Sequence, residues 1–467
     1  LIESAPTGVE GLDQAIGGGF PRGSLVILAG NPGTGKTTLG AKFLCEGWSR
    51  WGERGVYVSF AESADSLRAI LGGRFGKCCD EGGVKALDFV SLRGEGASAI
   101  LEAIMEEMGP SGAKRLVIDS LNALIQSMGP EEVRILLQAI FGRAVRQMGC
   151  TTILISEIPL GSDRIGLGIE EFVADGLIIL RRGDIEGRTF RELEIVKLRG
   201  RRIDRPRMAF TLEGGFKAFS QFSGDWAEWR GAFEPIPNPR GRFSTGNEGL
   251  DALLGGGFRE GSFALLELSP DLPREAYNLI RIPIWLNFIA NGNRLLAIPN
   301  TSASARAYRA MLIGFIEEGA FDGNAKIAEF ARGGPREPYS IRLGGGSPSA
   351  DWRILSQALR GLRGKDGRKC MIYVGWDAID RFYGEGGRKL LALLYAEAKY
   401  NGDLLFGVVK PGTSFIEDLR RSADYHLKLS IPDGAPCLYG VKPRTGVYHF
   451  ERDPSKGYPS CLFTEIV

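Results

Sequence analysis

The chain has 467 residues, 43% of them hydrophobic and 24% charged, with a formal net charge of +2. Such a length asks for two or three domains of soluble globular type, and the near-zero charge excludes a strong general affinity for nucleic acid or an anionic membrane. No apolar run approaches the roughly 20 residues of a membrane span, no secretory leader pattern opens the chain, and seven cysteines with two histidines show no metal or disulfide spacing, so a cytoplasmic protein is expected.

In chain order, the first distinctive block is Thr7–Ser24, TGVEGLDQAIGGGFPRGS. It returns at Thr245–Ser262 as TGNEGLDALLGGGFREGS, at a constant offset of 238 and with 12 of the 18 paired residues identical. A repeat of this period means two homologous domains, because solenoid repeats run only about 20–50 residues. We place the first domain at 1–222, a linker at 223–243 around the alternating prolines Pro235, Pro237 and Pro239, and the second domain at 244–467. Alternate prolines favour a stiff, extended connector.

Behind the first block, Val26–Ala29 reads as a buried strand that feeds Gly30, Asn31, Pro32, Gly33, Thr34, Gly35, Lys36, Thr37 and Thr38, with a helix expected over Leu39–Arg50. A strand, the spacing G-x-x-x-x-G-K-T and a helix together make a phosphate loop of the Walker A type. Glycines let successive N–H groups turn in around a phosphate, and the helix N-terminus adds its partial positive charge. Lys36 would reach the β- and γ-phosphates, and Thr37 would help to hold Mg²⁺.

Further strands are expected at Val56–Phe60, Asp88–Leu92, Leu116–Ile118 and Thr151–Ile155, and further helices at Ala97–Met108 and Pro130–Met148. Strand–helix alternation implies parallel βαβ units in an open α/β sheet, whose ligands bind at the carboxyl edge. Arg115-Leu-Val-Ile-Asp119 is an apolar strand ending in a carboxylate, as a Walker B element requires, and Asp119 is the second candidate metal ligand. Val56–Phe60 runs into Ala61-Glu62-Ser63, making Glu62 the candidate base that orients the attacking water; Glu157 is a second acidic edge residue. Beyond Asp175, Leu177–Arg181, Glu192–Leu198 and Met208–Leu212 are expected to form a β-hairpin extension.

In the second copy the offset puts Leu268 at the place of Gly30, Asp271 at Gly33, Pro273 at Gly35, Arg274 at Lys36 and Glu275 at Thr37. Proline removes an N–H from the nest, and the two carboxylates repel a triphosphate. Val374 stands where the strand Lys369–Val374 would carry its Asp119. The strands Arg294–Ile298, Cys370–Val374 and Leu404–Val409 and the helices Asp351–Arg363 and Glu385–Tyr400 are still expected, so the fold is kept without its ATP chemistry, for packing or a protein partner.

Four stretches of the first domain, Thr7–Leu39, Val56–Ser63, Gly168–Leu180 and Glu194–Gly200, resemble the KaiC-like branch of the RecA/RadA ATPases. The second domain matches at its opening block, at Ala423-Asp424 and at Val441-Lys442-Pro443-Arg444. The resemblance implies two tandem RecA-like α/β domains, each a mostly parallel sheet flanked by helices with a β-hairpin extension. It also implies a homo-oligomeric ring, usually a hexamer, with ATP and Mg²⁺ between subunits. In this family a Lys-x-Arg element reaches the neighbour's phosphates; Lys197 and Arg199 match it and would act as an arginine finger does. Two departures stand out. Members usually carry two glutamates after the second strand, and here the first is Ala61, which implies slow hydrolysis. Members of the clock type phosphorylate a Ser–Thr pair shortly before an Asp; here those positions hold Glu171 and Phe172, and Arg420 and Arg421, so no autokinase activity is expected.

The reading that results is a slow, ring-forming regulatory ATPase. The alternatives are a RadA-like accessory protein on single-stranded DNA and a non-hydrolysing scaffold. The DNA reading uses loops near Ser127–Pro130 and Leu160–Gly168, which offer only Arg164 as a cation and no aromatic platform.

Overall fold

The computed structural model describes residues 3–89, 97–123, 130–140, 142, 145, 147–161, 174–224, 229, 231–299, 304–330 and 337–467. Contacts divide the chain into two units, Leu1–Gln221 with Asp433–Ala435 and Ile466–Val467, and Phe222–Pro432 with Pro436–Glu465.

The repeated block folds alike in both units, for the same physical reason. In the first, Ser4–Ala5 (β1) pairs antiparallel with Phe20–Pro21 (β2). The Asp13 carboxylate accepts the N–H groups of Thr7 (2.7 Å) and Gly8 (3.1 Å) and the Thr7 hydroxyl (2.8 Å). Gly17, Gly18 and Gly19 follow at φ 71°, 102° and 124°, a left-handed run that residues with side chains resist. In the second unit Asp251 accepts the Thr245 N–H (2.7 Å) and the Ser244 hydroxyl (2.5 Å), and Gly255–Gly257 again have positive φ. The motif is thus a structural clasp. Asp13→Ala, which strands three donors, is expected to cost about 2 kcal/mol; thermal melting should show the loss while nucleotide affinity stays the same.

The first unit's main sheet contains Leu25–Gly30 (β3), Gly55–Ser59 (β4), Val84–Asp88 (β5), Arg115–Asp119 (β6), Thr151–Glu157 (β7), Gly176–Asp184 (β8), Thr189–Leu198 (β9), Arg207–Thr211 (β10) and Lys217–Ala218 (β11). Their order is β11-β10-β9-β8-β3-β7-β6-β4-β5. From β8 to β5 all neighbours are parallel, and β9 to β11 extend the sheet antiparallel, as the hairpin reading expects. The inner strands are buried on both faces. Val26, Leu28, Tyr57 and Val117 pack with Leu39, Phe43 and Phe75 of the helices Lys36–Trp51 and Ala64–Asp80. Leu25, Ile27, Val58 and Ile118 pack with Ile104 and Leu136 of the helices Ala97–Ser111 and Pro130–Ile140 on the other side.

Two differences from the sequence reading have local causes. The strand expected at Asp88–Leu92 lies instead at Val84–Asp88. It is an edge strand in which only Val84 is buried, so it needs no continuous apolar run; residues 90–92 lie outside those described. The helix Ala64–Asp80 was not expected, because Gly72, Gly73 and Gly76 interrupt its pattern, and Gly72 (φ 73°) bends it.

The second unit begins with a clasp of Arg242–Phe243 (β12) and Phe258–Arg259 (β13). Its main sheet holds Phe263–Leu268 (β14), Arg294–Ile298 (β15), Ala325–Phe330 (β16), Ser340–Leu343 (β17), Cys370–Gly375 (β18), Leu404–Val409 (β19), Tyr425–Ser430 (β20), Cys437–Lys442 (β21), Val447–Arg452 (β22) and Cys461–Glu465 (β23). The order β17-β16-β15-β18-β19-β14-β20-β21-β22-β23 repeats the winding of the first sheet with β17 added at one edge. Register carries the comparison to single residues. Ser59 lies opposite Asp119 in the first sheet, and Ile298, the last residue of the corresponding strand, lies opposite Val374 in the second.

Within the stretch 223–243, Phe233 is buried in this unit, donating its N–H to the Phe315 carbonyl (2.8 Å), and the Ile236 N–H donates to Asn287 Oδ1 (2.8 Å). Helices occupy Pro348–Arg363, capped by the Ser347 hydroxyl, and Gly387–Asn401. Among the described residues no helix is long and apolar enough to cross a membrane. Both units are α/β, with large, mostly parallel sheets flanked by helices.

Candidate nucleotide site

The carboxyl ends of β3, β4, β6 and β7 meet at one edge of the first sheet, and the loop from Gly30 to Thr38 lies there. Gly33 (φ 75°) and Gly35 (φ 97°) make its two left-handed bends. A Cβ at Gly30 would come within 2.5 Å of the Leu180 carbonyl oxygen. The loop is stitched from within: Thr34 Oγ1 donates to the Asn31 carbonyl (2.8 Å), and Asn31 Nδ2 donates to the Ile158 carbonyl (2.9 Å). Pro32 and Thr38 complete the loop and the first turn. The helix Lys36–Trp51 starts at Lys36, so its first N–H groups point into the loop without intrahelical partners.

Lys36 is buried, and its Nζ donates to the carbonyls of Gly30 (2.8 Å) and Asn31 (2.9 Å). Burial lowers its pKa, and the charges of Glu157 and Asp119 partly restore it. Thr37 Oγ1 donates to Asp119 Oδ2 at 2.8 Å, bringing the two expected metal-binding residues together. A hydroxyl and a carboxylate are the hard oxygen donors that Mg²⁺ takes beside phosphate oxygens, so this pair fits that ion. Tyr57 also donates to Asp119 Oδ2, at 2.6 Å. Burial and the Asp119 charge push the Tyr57 phenol well above its ordinary range, keeping it a proton donor.

Glu62 follows β4 with its side chain exposed and its N–H donated to Ser59 Oγ (2.9 Å); Ser63 then caps the helix Ala64–Asp80. Glu157 ends β7, exposed, with its N–H on Asn122 Oδ1 (2.6 Å). Glu62 therefore stands at the end of the strand beside that of Asp119, on the loop's edge of the sheet. Lys197 and Arg199 do not join them. Lys197 lies opposite Leu177, which pairs with Ile27, whereas the loop begins at Gly30. Arg199, exposed, donates its N–H to the Asp175 carbonyl (2.8 Å). Both basic residues thus lie toward the amino edge of the parallel strands, across the sheet from Lys36 of the same chain.

Two residues at the loop escaped the sequence reading. One is Tyr57, whose phenol lies inside a fully buried strand. The other is Arg191 on β9, buried, which donates from Nη1 to the Gly33 carbonyl at 3.2 Å. An open cavity of about 350 Å³ adjoins the loop, lined by Asn31, Ile158, Leu160, Ile179, Leu180 and Arg181 among others.

The loops weighed for nucleic acid, 127–130 and 160–168 with Arg164, lie largely outside the described residues, as do Glu171 and Phe172. In the hairpin, Arg181 and Arg207 are paired with Glu194, and Arg202 with Asp204. Arg420 in the second unit is bound to Glu267 and Glu417. There the five residues between β14 and its helix, Ser269 to Pro273, include two prolines, and Arg274 starts the helix where Lys36 starts the other.

Residues 5–216 match the family described as "ATPase: KaiC", and residues 232–336 the one described as "GvpD basic region 2". The chain is similar to Protein GvpD2 of Halobacterium salinarum, with 31% identity over 343 residues, 69% of this chain and 66% of that protein. It is similar to the circadian clock oscillator protein KaiC of Thermosynechococcus vestitus, with 32% identity over 283 residues, 56% of this chain and 52% of that protein. A solved structure of a KaiC-like protein from Pyrococcus horikoshii OT3 is 33% identical and covers 47% of this chain and 100% of that one, at a TM-score of 0.42. The chain therefore spans less than two thirds of either curated relative. By the family match over residues 5–216 and the curated relatives, and by a phosphate loop paired with a strand-end carboxylate on a parallel sheet, the first unit of the chain belongs to the KaiC-like ATPases of the RecA superfamily.

Proposed function

We propose that the first domain, 1–222, binds Mg-ATP and hydrolyses it slowly at a site completed by a neighbouring copy in a ring, usually hexameric in this family. The observation that carries this reading is the Thr37–Asp119 pair at 2.8 Å beside Lys36 in a glycine-bent loop. The N–H groups from Gly30 to Thr38 would cradle the phosphates, and Lys36 would turn from its loop carbonyls to the β- and γ-phosphates. Thr37 and Asp119 would hold Mg²⁺, which when bound neutralises phosphate charge.

Glu62 takes the role of the base that orients water, alone because Ala61 replaces the other glutamate, and this slows turnover. Lys197 and Arg199 act in trans on the neighbour's phosphates, a role supported by their place across the sheet from their own loop. The second domain, 244–467, reached through the linker 223–243, binds no nucleotide and offers its surface to a protein partner. Arg420 and Arg421 carry no hydroxyl to phosphorylate, so the chain is a nucleotide-state switch with no autokinase activity. The arginine–carboxylate pairs of the hairpin favour this over the DNA-binding reading.

The test is particle mass with and without Mg-ATP, together with steady-state phosphate release. Ring assembly that ignores nucleotide, with no phosphate release, would count against the proposal. Glu62→Gln is expected to slow release at least about tenfold while ATP affinity is kept; unchanged turnover would remove Glu62 from the mechanism.

A further inference from the structure

The Asp119 carboxylate is held by more than Thr37. Tyr57 is fully buried in the middle of β4, and its phenol donates to Asp119 Oδ2 at 2.6 Å. The same oxygen accepts the Thr37 hydroxyl at 2.8 Å, while Oδ1 takes no hydrogen bond among the described residues. The arrangement has a direction. Thr37 has one proton and gives it to Oδ2, so only its lone pairs remain for a cation. Two donors on Oδ2 leave Oδ1 as the oxygen with acceptor capacity to spare.

The Tyr57 ring is packed on both sides. Phe75, on the helix Ala64–Asp80, meets it edge-on at 5.7 Å between centroids and 80° between planes. On the sheet side Tyr57 pairs with Val117, two residues before Asp119. The helix that follows Glu62 thus packs on the ring whose hydroxyl fixes the carboxylate. Phenylalanine would fill the same space and leave Asp119 restrained by Thr37 alone.

We propose that Tyr57 is a positioning residue for the metal: it locks Asp119 through Oδ2 and reserves Oδ1 for the divalent cation or its bound water. This rests on the Mg-ATP reading of the site, and Tyr57 acts through Asp119 without touching the nucleotide. Removing one charge-assisted hydrogen bond should move cation affinity about five- to tenfold.

The experiment titrates Mn²⁺ into the full chain with ADP and follows free and bound metal by electron paramagnetic resonance. Tyr57→Phe is expected to weaken Mn²⁺ about five- to tenfold and to leave ADP affinity in EDTA within about twofold. In a D119N background the same change should add nothing, since its effect passes through that carboxylate. Equal Mn²⁺ affinity in wild type and Y57F overturns the proposal, as does a full further loss in the D119N background. Lost ADP binding in EDTA also overturns it, marking the phenol as part of the loop's scaffold. A wild-type protein that binds no nucleotide sinks the Mg-ATP reading and Tyr57's role together. One that binds Mn-ADP no better than Y57F sinks Tyr57 alone.

Discussion

Lys36→Ala is expected to weaken ATP binding by the full chain about a hundredfold, or about 2.7 kcal/mol, and to leave no high-affinity site anywhere in the molecule. The ammonium is buried and reaches two loop carbonyls, so it stands within hydrogen-bond range of the space that the loop encloses. Alanine removes both the charge and the donor. The fold should change little, because the two bonds lost are made within the loop itself and the strand and helix that flank it keep their own packing. The second unit is expected not to compensate: Pro270 and Pro273 supply no N–H, and Asp271 and Glu275 carry the wrong charge. Equilibrium binding of labelled ATP checks both halves of the prediction. Wild type should bind one nucleotide per chain and the variant none at concentrations that saturate wild type. A stoichiometry of two would show that the second unit binds after all, and an unchanged affinity would remove Lys36 from the site.

The parts of the fold legible in the sequence are those set by local rules. Strands buried on both faces, such as Leu25–Gly30 and Leu404–Val409, read as apolar runs because both of their faces are core. The loop was legible because glycine at Gly33 and Gly35 answers a backbone need that few other residues meet. The offset of 238 survives in three dimensions, since Leu25–Gly30 and Phe263–Leu268, and the helix starts Lys36 and Arg274, are all separated by it. What the sequence hid depends on tertiary neighbours. The edge strand Val84–Asp88 is half exposed, and the helix Ala64–Asp80 is held by packing its propensity does not announce. Tyr57 and Arg191 belong to the site only because the sheet brings them to Asp119 and Gly33, 62 and 158 residues away in sequence. No local pattern encodes such distances. The Lys-x-Arg element shows the converse: its sequence was legible, and the sheet then puts it across from its own loop, so the role proposed for it requires a neighbouring subunit.

The second unit's stability is expected to hinge on Glu267, which stands in β14 where the first unit has Ala29. Its carboxylate side chain is only 10% exposed. Arg420 holds it with two bonds, Nη2 to Oε1 at 2.5 Å and Nε to Oε2 at 3.1 Å; His426 Nε2 lies 2.9 Å from Oε2, and Lys428 Nζ 3.9 Å from Oε1. Burial pushes this carboxyl's pKa up, but the bonds from His426 and Arg420 and the Lys428 charge outweigh it and hold the pKa at about 2, against 4.5 for a free glutamate. A carboxylate depressed on folding contributes stability that is complete above about pH 4.5 and is lost as pH falls toward 2. The difference amounts to about 3 kcal/mol. Glu267→Gln keeps the shape but removes the charge, leaving Arg420 and Lys428 as like charges around a half-satisfied centre. It should therefore lower unfolding free energy by about 3 kcal/mol at pH 7, and the deficit should vanish between about pH 4.5 and 2, where wild type loses the same term. Denaturant melts followed through the buried Trp285 and Trp376 report on this unit. A deficit that persisted unchanged at pH 2 would mean that packing, and not the ion cluster, carries the effect.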